Sequence, residues 1–577
     1  MVRGRRRTAL TGILLALSMV AAACGSSDDG TAGGGSETTA AKSTDSGVKK
    51  GGSIAYAAEQ EPTGFNNLTS KDNLAELRHI MRNIWPAAYL ARPDFSVVPT
   101  ALLDGEAKVT SQSPFTVEWK INKDAIWSDD VPVSADDFEW VYLSCNGKVD
   151  PGEPTVKNDK TGAAETGLDC ASTAGYDKVT KFEKVDEKTV RMTFDEPYVE
   201  YEGLFGDPMP PSHIGRPLPD GWNTGFDKDP MVSAGPYKLK EYVKGDHFTL
   251  ERNEKWWGEK PNLDTIVFRE IPDPATHPDA LRNDEVQVIY PQPQTDLLTQ
   301  VSEIPGVEHE LNFGPTWEHL DFNFKNPLLA MLEVRQAIAY GVDRDRYVNT
   351  LMKPFSDKAK RLDSRVFMSN QPEYVAHGKE YAVRAPEKAT AALEKAGFTK
   401  GADGIYAKGG KRLSFRLRVK SPNPLREQME QLIQADLKGV GIEIKIANFG
   451  DPDTIGSIGA AGDFDLFIFA WVGTPFEVSA AQQTFDTASD SNFGKYSNPE
   501  VDAAIKKAST ILNEGDRADQ LNKADVLMWE DLPNLPLFQK PVGLLAYKST
   551  YANISDNTTS EGLFWNSSKW GLKAAAQ

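Results

Sequence analysis

Between residues 413 and 471 the chain admits few folds. Leu413-Ser414-Phe415-Arg416-Leu417-Arg418-Val419 alternates apolar and polar residues, as a half-buried strand does. Residues 425–437 place Leu425, Met429, Leu432, Ile433 and Leu437 on one helical face, with Gly439 expected to close the helix. Gly441-Ile442-Glu443-Ile444-Lys445-Ile446 then returns to strict alternation. Strand, helix and strand in that order form a crossover unit, which demands parallel pairing and a right-handed connection. Asp465-Leu466-Phe467-Ile468-Phe469-Ala470-Trp471 follows as a continuous apolar run, suited to a strand covered on both faces. The expected class is therefore α/β.

A chain of 577 residues is too long for one core and should divide into two or three globular units. Its formal charge is −19, with no basic cluster beyond the first seven residues. That disfavours nucleic acid and anionic lipid as partners of the folded part. It says little of a small ligand, because a pocket's own field can oppose the net charge. After residue 23 no apolar run approaches the ~20 residues that a membrane helix needs.

Residues 1–23 read as an export signal, with Arg3, Arg5, Arg6 and Arg7 ahead of an apolar stretch. Ala21-Ala22-Ala23-Cys24 resembles a bacterial lipobox, in which the cysteine is acylated and becomes the mature N-terminus. An ordinary secretory signal with a chance cysteine is the alternative, and both Sec and twin-arginine export stay open. Residues 24–50 would hold the lipidated Cys24 and a Gly/Ser/Thr-rich tether that cannot bury enough surface to fold. The expected location is the extracytoplasmic face of the cell membrane, through the lipid anchor alone.

Cys145 and Cys170 remain, in an oxidising compartment where an even count suggests a disulfide. Two unrelated buried thiols are the alternative. A bridge would close a loop of about 25 residues and contribute about 3 kcal/mol in the chain-entropy picture. No histidine lies near either thiol, which argues against zinc.

Gly51-Gly52-Ser53-Ile54-Ala55-Tyr56-Ala57 opens the folded body as a strand, and residues 73–85 are a helix candidate. Phe115-Thr116-Val117-Glu118-Trp119-Lys120-Ile121 and Thr189-Val190-Arg191-Met192-Thr193-Phe194 alternate as strands. Ser134 is a natural N-cap for a helix beginning Ala135-Asp136-Asp137. Asp129, Asp130, Asp136 and Asp137 lack the ligand alternation and loop glycine of an EF-hand, so a capped, solvated helix start is the reading.

From Ser233 to Arg346 several motifs follow one another in order: Ala234-Gly235-Pro236-Tyr237, Asn253-Glu254-Lys255-Trp256-Trp257-Gly258, Leu320-Asp321-Phe322-Asn323-Phe324 and Val334-Arg335-Gln336-Ala337-Ile338-Ala339-Tyr340-Gly341-Val342-Asp343-Arg344. The series resembles the extracytoplasmic solute-binding proteins of peptide-type ABC importers, family 5, over the chain from about Gly51 onward. The resemblance implies a two-lobe α/β fold of the type II periplasmic-binding-protein kind, with an extra inserted subdomain in the first lobe. On that plan residues 51–69, 232–318 and 538–577 form lobe I, 70–231 the insert and 319–537 lobe II. Paired crossings between the lobes are expected near residues 317–322 and 536–542.

The chain carries no nucleophile elbow, P-loop or dinucleotide fingerprint, and its seven histidines never fall three or four apart. No enzyme activity, cofactor or metal is therefore expected. Ligands of open α/β sheets sit beyond the carboxyl ends of strands and in inter-domain clefts. Trp471 ends the apolar strand and leads into Val472-Gly473-Thr474-Pro475-Phe476. In peptide-binding relatives an Asp at the place of Thr474 pairs with the peptide's α-ammonium, and a hydroxyl cannot neutralise one. Glu477 is a nearby substitute, unless the ligand is no ordinary free peptide.

Trp317 and His319 fall near the hinge, facing either the cleft or, for Trp317, the core. Relatives place a carboxylate-binding arginine in the region of Arg361 and Arg365, where exposed surface arginines are the alternative. Asn66 stands in a turn the family shares, and Phe476 in the cleft loop. The function implied is a monomeric, lipid-anchored receptor that captures oligopeptides and passes them to the permease and ATPase subunits of an ABC importer. The alternative is a non-transport lipoprotein of the same fold, concerned with the cell-envelope glycolipid phosphatidylinositol mannoside.

Overall fold

One mixed sheet of ten strands runs through both halves of the folded body. The computed structural model describes residues 47–148, 155–157, 164–450 and 453–574. The expected signal at 1–23, Cys24 and the tether up to residue 46 lie outside the described residues. The folded body starts before Gly51, because Val48 and Lys49 pair antiparallel with Lys573 and Leu572.

The large sheet opens with Ser53–Ala58 (β1), and helix Ala75–Met81 (α1) follows. The chain then builds a separate antiparallel sheet from Lys108–Gln112 (β2), Phe115–Lys120 (β3), Val179–Asp186 (β4) and Thr189–Phe194 (β5), ordered β2-β3-β5-β4. Helix Ala135–Cys145 (α2) lies on this sheet. Its start is a capping box: Asp136 N–H donates to Ser134 Oγ, and Ser134 N–H donates to the Asp137 carboxylate at 2.9 Å. Cys145, at the end of α2, is bonded to Cys170, with Cα atoms 5.3 Å apart.

The chain returns to the large sheet with Tyr237–Val243 (β6), His247–Arg252 (β7), Thr265–Glu270 (β8), Val288–Ile289 (β9) and the long strand Val307–Phe322 (β10). The second lobe follows with Pro386–Lys395 (α3), Ser414–Arg418 (β11), Pro424–Gly439 (α4), Glu443–Ile446 (β12), Leu466–Val472 (β13), Glu477–Phe485 (α5) and Glu514–Asp531 (α6). A second long strand, Asn534–Lys548 (β14), leads back. The strand order is β6-β7-β8-β1-β9-β14-β10-β13-β11-β12.

Strands β11 and β12 pair in parallel around α4, and β11 pairs in parallel with β13, as the crossover unit requires. Leu466, Phe467, Ile468 and Phe469 of β13 are all buried. Helix α4 runs to Gly439, and the stop is made by Gly441 instead. Gly441 has φ +82°, and the N–H groups of Gly441 and Ile442 donate back to the carbonyls of Lys438 and Leu437. A left-handed residue just past the cap is where glycine is needed, so the closing signal lay two residues later than the periodicity implied.

Strands β10 and β14 pair with each other twice. Val307 to Leu311 oppose Lys548 to Leu544 beside β9, and Trp317 to Asp321 oppose Gln539 to Asn534 beside β13. Between these stretches the register slips on both sides of Phe313. Gly314, Pro315 and Pro541 occupy the gap, and proline offers the ladder no N–H. At Gly314 a Cβ would come within 2.5 Å of Val542 Cγ2 and 2.7 Å of Thr558, so only glycine fits the close approach. The lobes therefore meet at residues 313–317 and 539–541.

Each lobe has its own core. Trp85, Trp119, Trp127, Trp140 and Trp222 pack lobe I and the insert into one cluster, while Leu320, Phe322, Leu417, Ile433 and Leu466 belong to another in lobe II. Beside the crossing, fully buried Glu318 of β10 receives bonds of 3.1 and 3.0 Å from Arg426 of α4, with Lys540 Nζ at 3.4 Å. Removing one partner of a buried ion pair leaves a desolvated charge and costs about 3–5 kcal/mol. Arg426→Ala is expected to lose about that much in urea unfolding, and the Glu318→Gln, Arg426→Ala pair to regain a good part of it. An Arg426→Ala midpoint equal to wild type would remove the triad as a fastener of the hinge.

Candidate functional site

Strand β13 ends at Val472; the Gly473 N–H still donates to the Pro315 carbonyl at 2.9 Å, Pro475 has no N–H to carry the ladder further, and Glu477 opens α5. Across the sheet Trp471 is the register partner of Trp317 in β10. The two rings, with Thr474, Arg365 and Glu477, border a small chamber of 40 Å³. Thr474 Oγ1 accepts the Phe476 N–H at 3.2 Å, so the hydroxyl shapes its own loop.

His319 lies two residues beyond Trp317 and is fully buried. Its ring packs 4.7 Å from Trp317, 4.3 Å from Phe469 and parallel to Trp471 at 6.2 Å. Burial pushes the imidazole down to about 3, so it is neutral and backs the aromatic wall instead of facing ligand. Arg361 is likewise engaged within the protein, bonded to Asp345 at 2.6 Å and Asp363 at 2.9 Å. Asn66, 2% exposed, donates to the Trp222 carbonyl at 2.8 Å in the interior of lobe I. Arg365 is no surface arginine: it is 3% exposed, stacks on Trp529 and donates to Asn534 at 3.0 and 2.6 Å.

Two larger chambers adjoin the small one. A chamber of 380 Å³ lies between the insert and the second lobe, and Phe476 stands in its wall with the ring packed on Gly203. Its charged lining is Asp94, Glu200, Glu202, Glu373, Glu477 and Glu514 against one arginine, Arg517. The other chamber, of 410 Å³, sits at the hinge end between Asp556 of lobe I and Lys358 and Lys360 of lobe II. Asn370 borders both larger chambers, while Gln371 and Glu477 border the small and the acidic one, so the three form one inter-lobe cleft.

At the acidic end the lobes are fastened together. The Glu200 carboxylate of the insert accepts the N–H of Val478 at 2.8 Å and of Ser479 at 3.0 Å, and also the Ser479 hydroxyl. These are first-turn donors of α5, so a side chain of one lobe caps a helix of the other. The helix N-terminus also favours the carboxylate's charge. Burial raises the Glu200 carboxyl, and these hydrogen bonds oppose the rise.

Glu477, the first residue of α5, accepts from Gln371 Nε2 at 2.6 Å. Burial, with Glu200 alongside, pushes it up to about 8. Glu202 is pushed up to about 7 by burial and by its neighbours Glu514 and Glu106. The cleft thus holds carboxyl groups short of positive partners, each readily ionised by an incoming cation.

The sequence reading of the cleft named Trp317, Arg365, Trp471, Thr474 and Phe476, and the fold gathers these along its walls. It missed Glu200, Glu202, Lys358, Lys360 and Asp556. No periodicity or short motif marks them, because their neighbours in space are hundreds of residues away in sequence.

The family of bacterial extracellular solute-binding proteins, family 5 (middle region), matches residues 101–493. The oligopeptide-binding protein OppA of Mycobacterium tuberculosis is 28% identical over 512 residues, 88% of this chain and 83% of its own. The probable monoacyl phosphatidylinositol tetramannoside-binding protein LpqW of the same organism is 28% identical over 295 residues, 49% of this chain and 42% of its own. Among solved structures, the periplasmic EDTA-binding protein EppA superposes with a TM-score of 0.80 at 27% identity, covering 91% of this chain and 97% of its own.

Loss of a helix cap costs about 1–2 kcal/mol, a factor of about 5–30 in an equilibrium constant. Glu200→Ala is therefore expected to shift the protein toward separated lobes, seen as a larger radius of gyration in small-angle scattering. Faster hydrogen exchange at the start of α5 should accompany it. Scattering and exchange identical to wild type would rule out the latch.

Proposed function

The chain belongs to the bacterial extracellular solute-binding proteins of family 5, and from that membership we propose that it captures oligopeptides between its lobes and delivers them to the permease of an ABC importer, held at the membrane by a lipid on Cys24. It is a binding protein and not an enzyme. The observation that carries the peptide reading is the acidic chamber, where six carboxyl side chains face one arginine. Such a lining suits a ligand bearing an ammonium or other cationic group and disfavours an anionic chelate of the EDTA kind. The extended similarity to OppA supports the same reading, whereas the similarity to LpqW spans about half of this chain. Glu477, at the mouth of the small chamber, takes the part that Thr474 cannot.

Calorimetry with a mixed pool of short peptides, ferric EDTA and a phosphatidylinositol mannoside head group separates the readings, alongside native mass spectrometry of co-purifying cargo. Peptide binding with no response to the other two is expected. Binding of the chelate or the glycolipid in place of peptides would overturn the proposal.

A pH dependence follows from Glu477. With its carboxyl near 8 it is mostly protonated at neutral pH. A bound ammonium favours the carboxylate, lowers that value and expels the proton. Affinity should therefore rise with pH until it levels off near 8, and titrations at neutral pH in buffers of different ionisation enthalpy should report proton release. Affinity that falls with pH over that range, or binding with no proton exchange, would exclude Glu477 as the partner of the cation.

A further inference from the structure

The ladder that joins the lobes has two faces, and the cleft occupies one of them. Trp317 and its register partner Gln539 point into the cleft, where they border the small and the hinge-end chamber. Successive strand residues alternate, so their chain neighbours Glu318 and Lys540 point the other way, with Lys540 Nζ 3.4 Å from Glu318. On that second face, behind the hinge, lies a crevice of 580 Å³ that Lys540 borders. It exceeds the cleft chambers of 410 and 380 Å³ and falls in the size range of small-molecule pockets. Both lobes build it: residues 292–296 of lobe I face residues 350–355 and 422–428 of lobe II.

The lining is polar but nearly free of charge. Gln292 and Gln294 of lobe I are exposed, as are Thr350 and Gln428 of lobe II. None of these side chains has a hydrogen-bond partner among the described residues. One ammonium and one carboxylate, Lys540 and Asp296, border the crevice, and Lys540 is already engaged by Glu318. Pro293, Pro354, Pro422, Pro424 and Pro541 stiffen the walls, because their φ angles are fixed by the ring. Half-buried Phe355 adds an aromatic surface.

An anion would find only an ammonium already paired, and a cation only the exposed, weakly attracting Asp296. An apolar ligand would strip water from the amides and return no hydrogen bond. A carboxamide sets a donor beside an acceptor, the pattern that neighbouring hydroxyls of a sugar complete, and the C–H face of a sugar ring suits an aromatic side chain. We propose that this crevice is a second binding site, for a neutral polyhydroxylated ligand of sugar-like chemistry, and that its occupation holds the cleft shut. The site stands apart from whatever the cleft captures. Its effect on the cleft follows from leverage about residues 313–317 and 539–541. Opening the lobes in front narrows the gap behind, so a ligand that fills the crevice while Glu200 is fastened to α5 opposes their separation.

The test titrates maltose, cellobiose and trehalose by calorimetry, with glucuronic acid and glucosamine as charged counterparts, and follows hydrogen exchange by mass spectrometry. At least one neutral disaccharide is expected to bind with Kd below about 1 mM, more tightly than either charged sugar. Exchange should slow at 292–296, at 350–355 and at the start of α5. The Gln294→Ala, Gln428→Ala double variant should lose at least about tenfold in affinity, the scale of lost hydrogen bonds. Both glutamines are exposed, so its melting temperature should match wild type. Failure of all three disaccharides to bind would overturn the ligand class. Undiminished affinity in the variant, or protection confined to the cleft walls, would overturn the site. Protection of both crevice walls with no change at α5 would overturn the link to closure.

Discussion

Strands β10 and β14 run antiparallel for 16 and 15 residues. At about 3.4 Å per residue each spans about 50 Å, long enough for one ladder to serve two separate cores. Because the ladder lapses around Gly314, Pro315 and Pro541, each core keeps its own regular half. With ladder hydrogen bonds already missing there, bending at this point would disturb neither lobe's own ladder. Glu318, Arg426 and Lys540 anchor the lobe II half just beyond that point, where a buried charge needs fixed partners.

The inserted subdomain does more than enlarge lobe I. It carries Val199, Glu200 and Glu202 across to the second lobe, and Val199 packs into a lobe II cluster. The tryptophan-rich core holds this arm to lobe I, so its contact with α5 reports the separation of the lobes. A helix N-terminus supplies several aligned donors with no side chain of its own committed, which makes it a natural receiver for a carboxylate from the facing lobe.

The net charge of −19 gave no hint of how charge is distributed within the cleft. Acids gather at the insert end and lysines stand at the hinge end, with one buried carboxyl opposite them. Desolvation keeps several of these carboxyls near neutrality, which limits repulsion between the lobes and leaves them ready to ionise against a cation. Field within the cleft therefore follows the placement of individual side chains and not the overall balance.

Periodicity and capping chemistry were enough to find the crossover unit at 413–446, the buried strand ending at Trp471, the Ser134 helix start and the pairing of Cys145 with Cys170. Each of these depends on residues close together in the chain, or on a count that leaves one partner. The ordered motifs after Ser233 carried the family and with it the two-lobe plan. Tertiary structure alone decided that His319 and Asn66 turn inward, that Arg361 is spent on Asp345 and Asp363, and that Glu200 meets a helix 279 residues further along. Sequence patterns record which face of an element is apolar, but not which distant element will supply the opposite wall of a cleft.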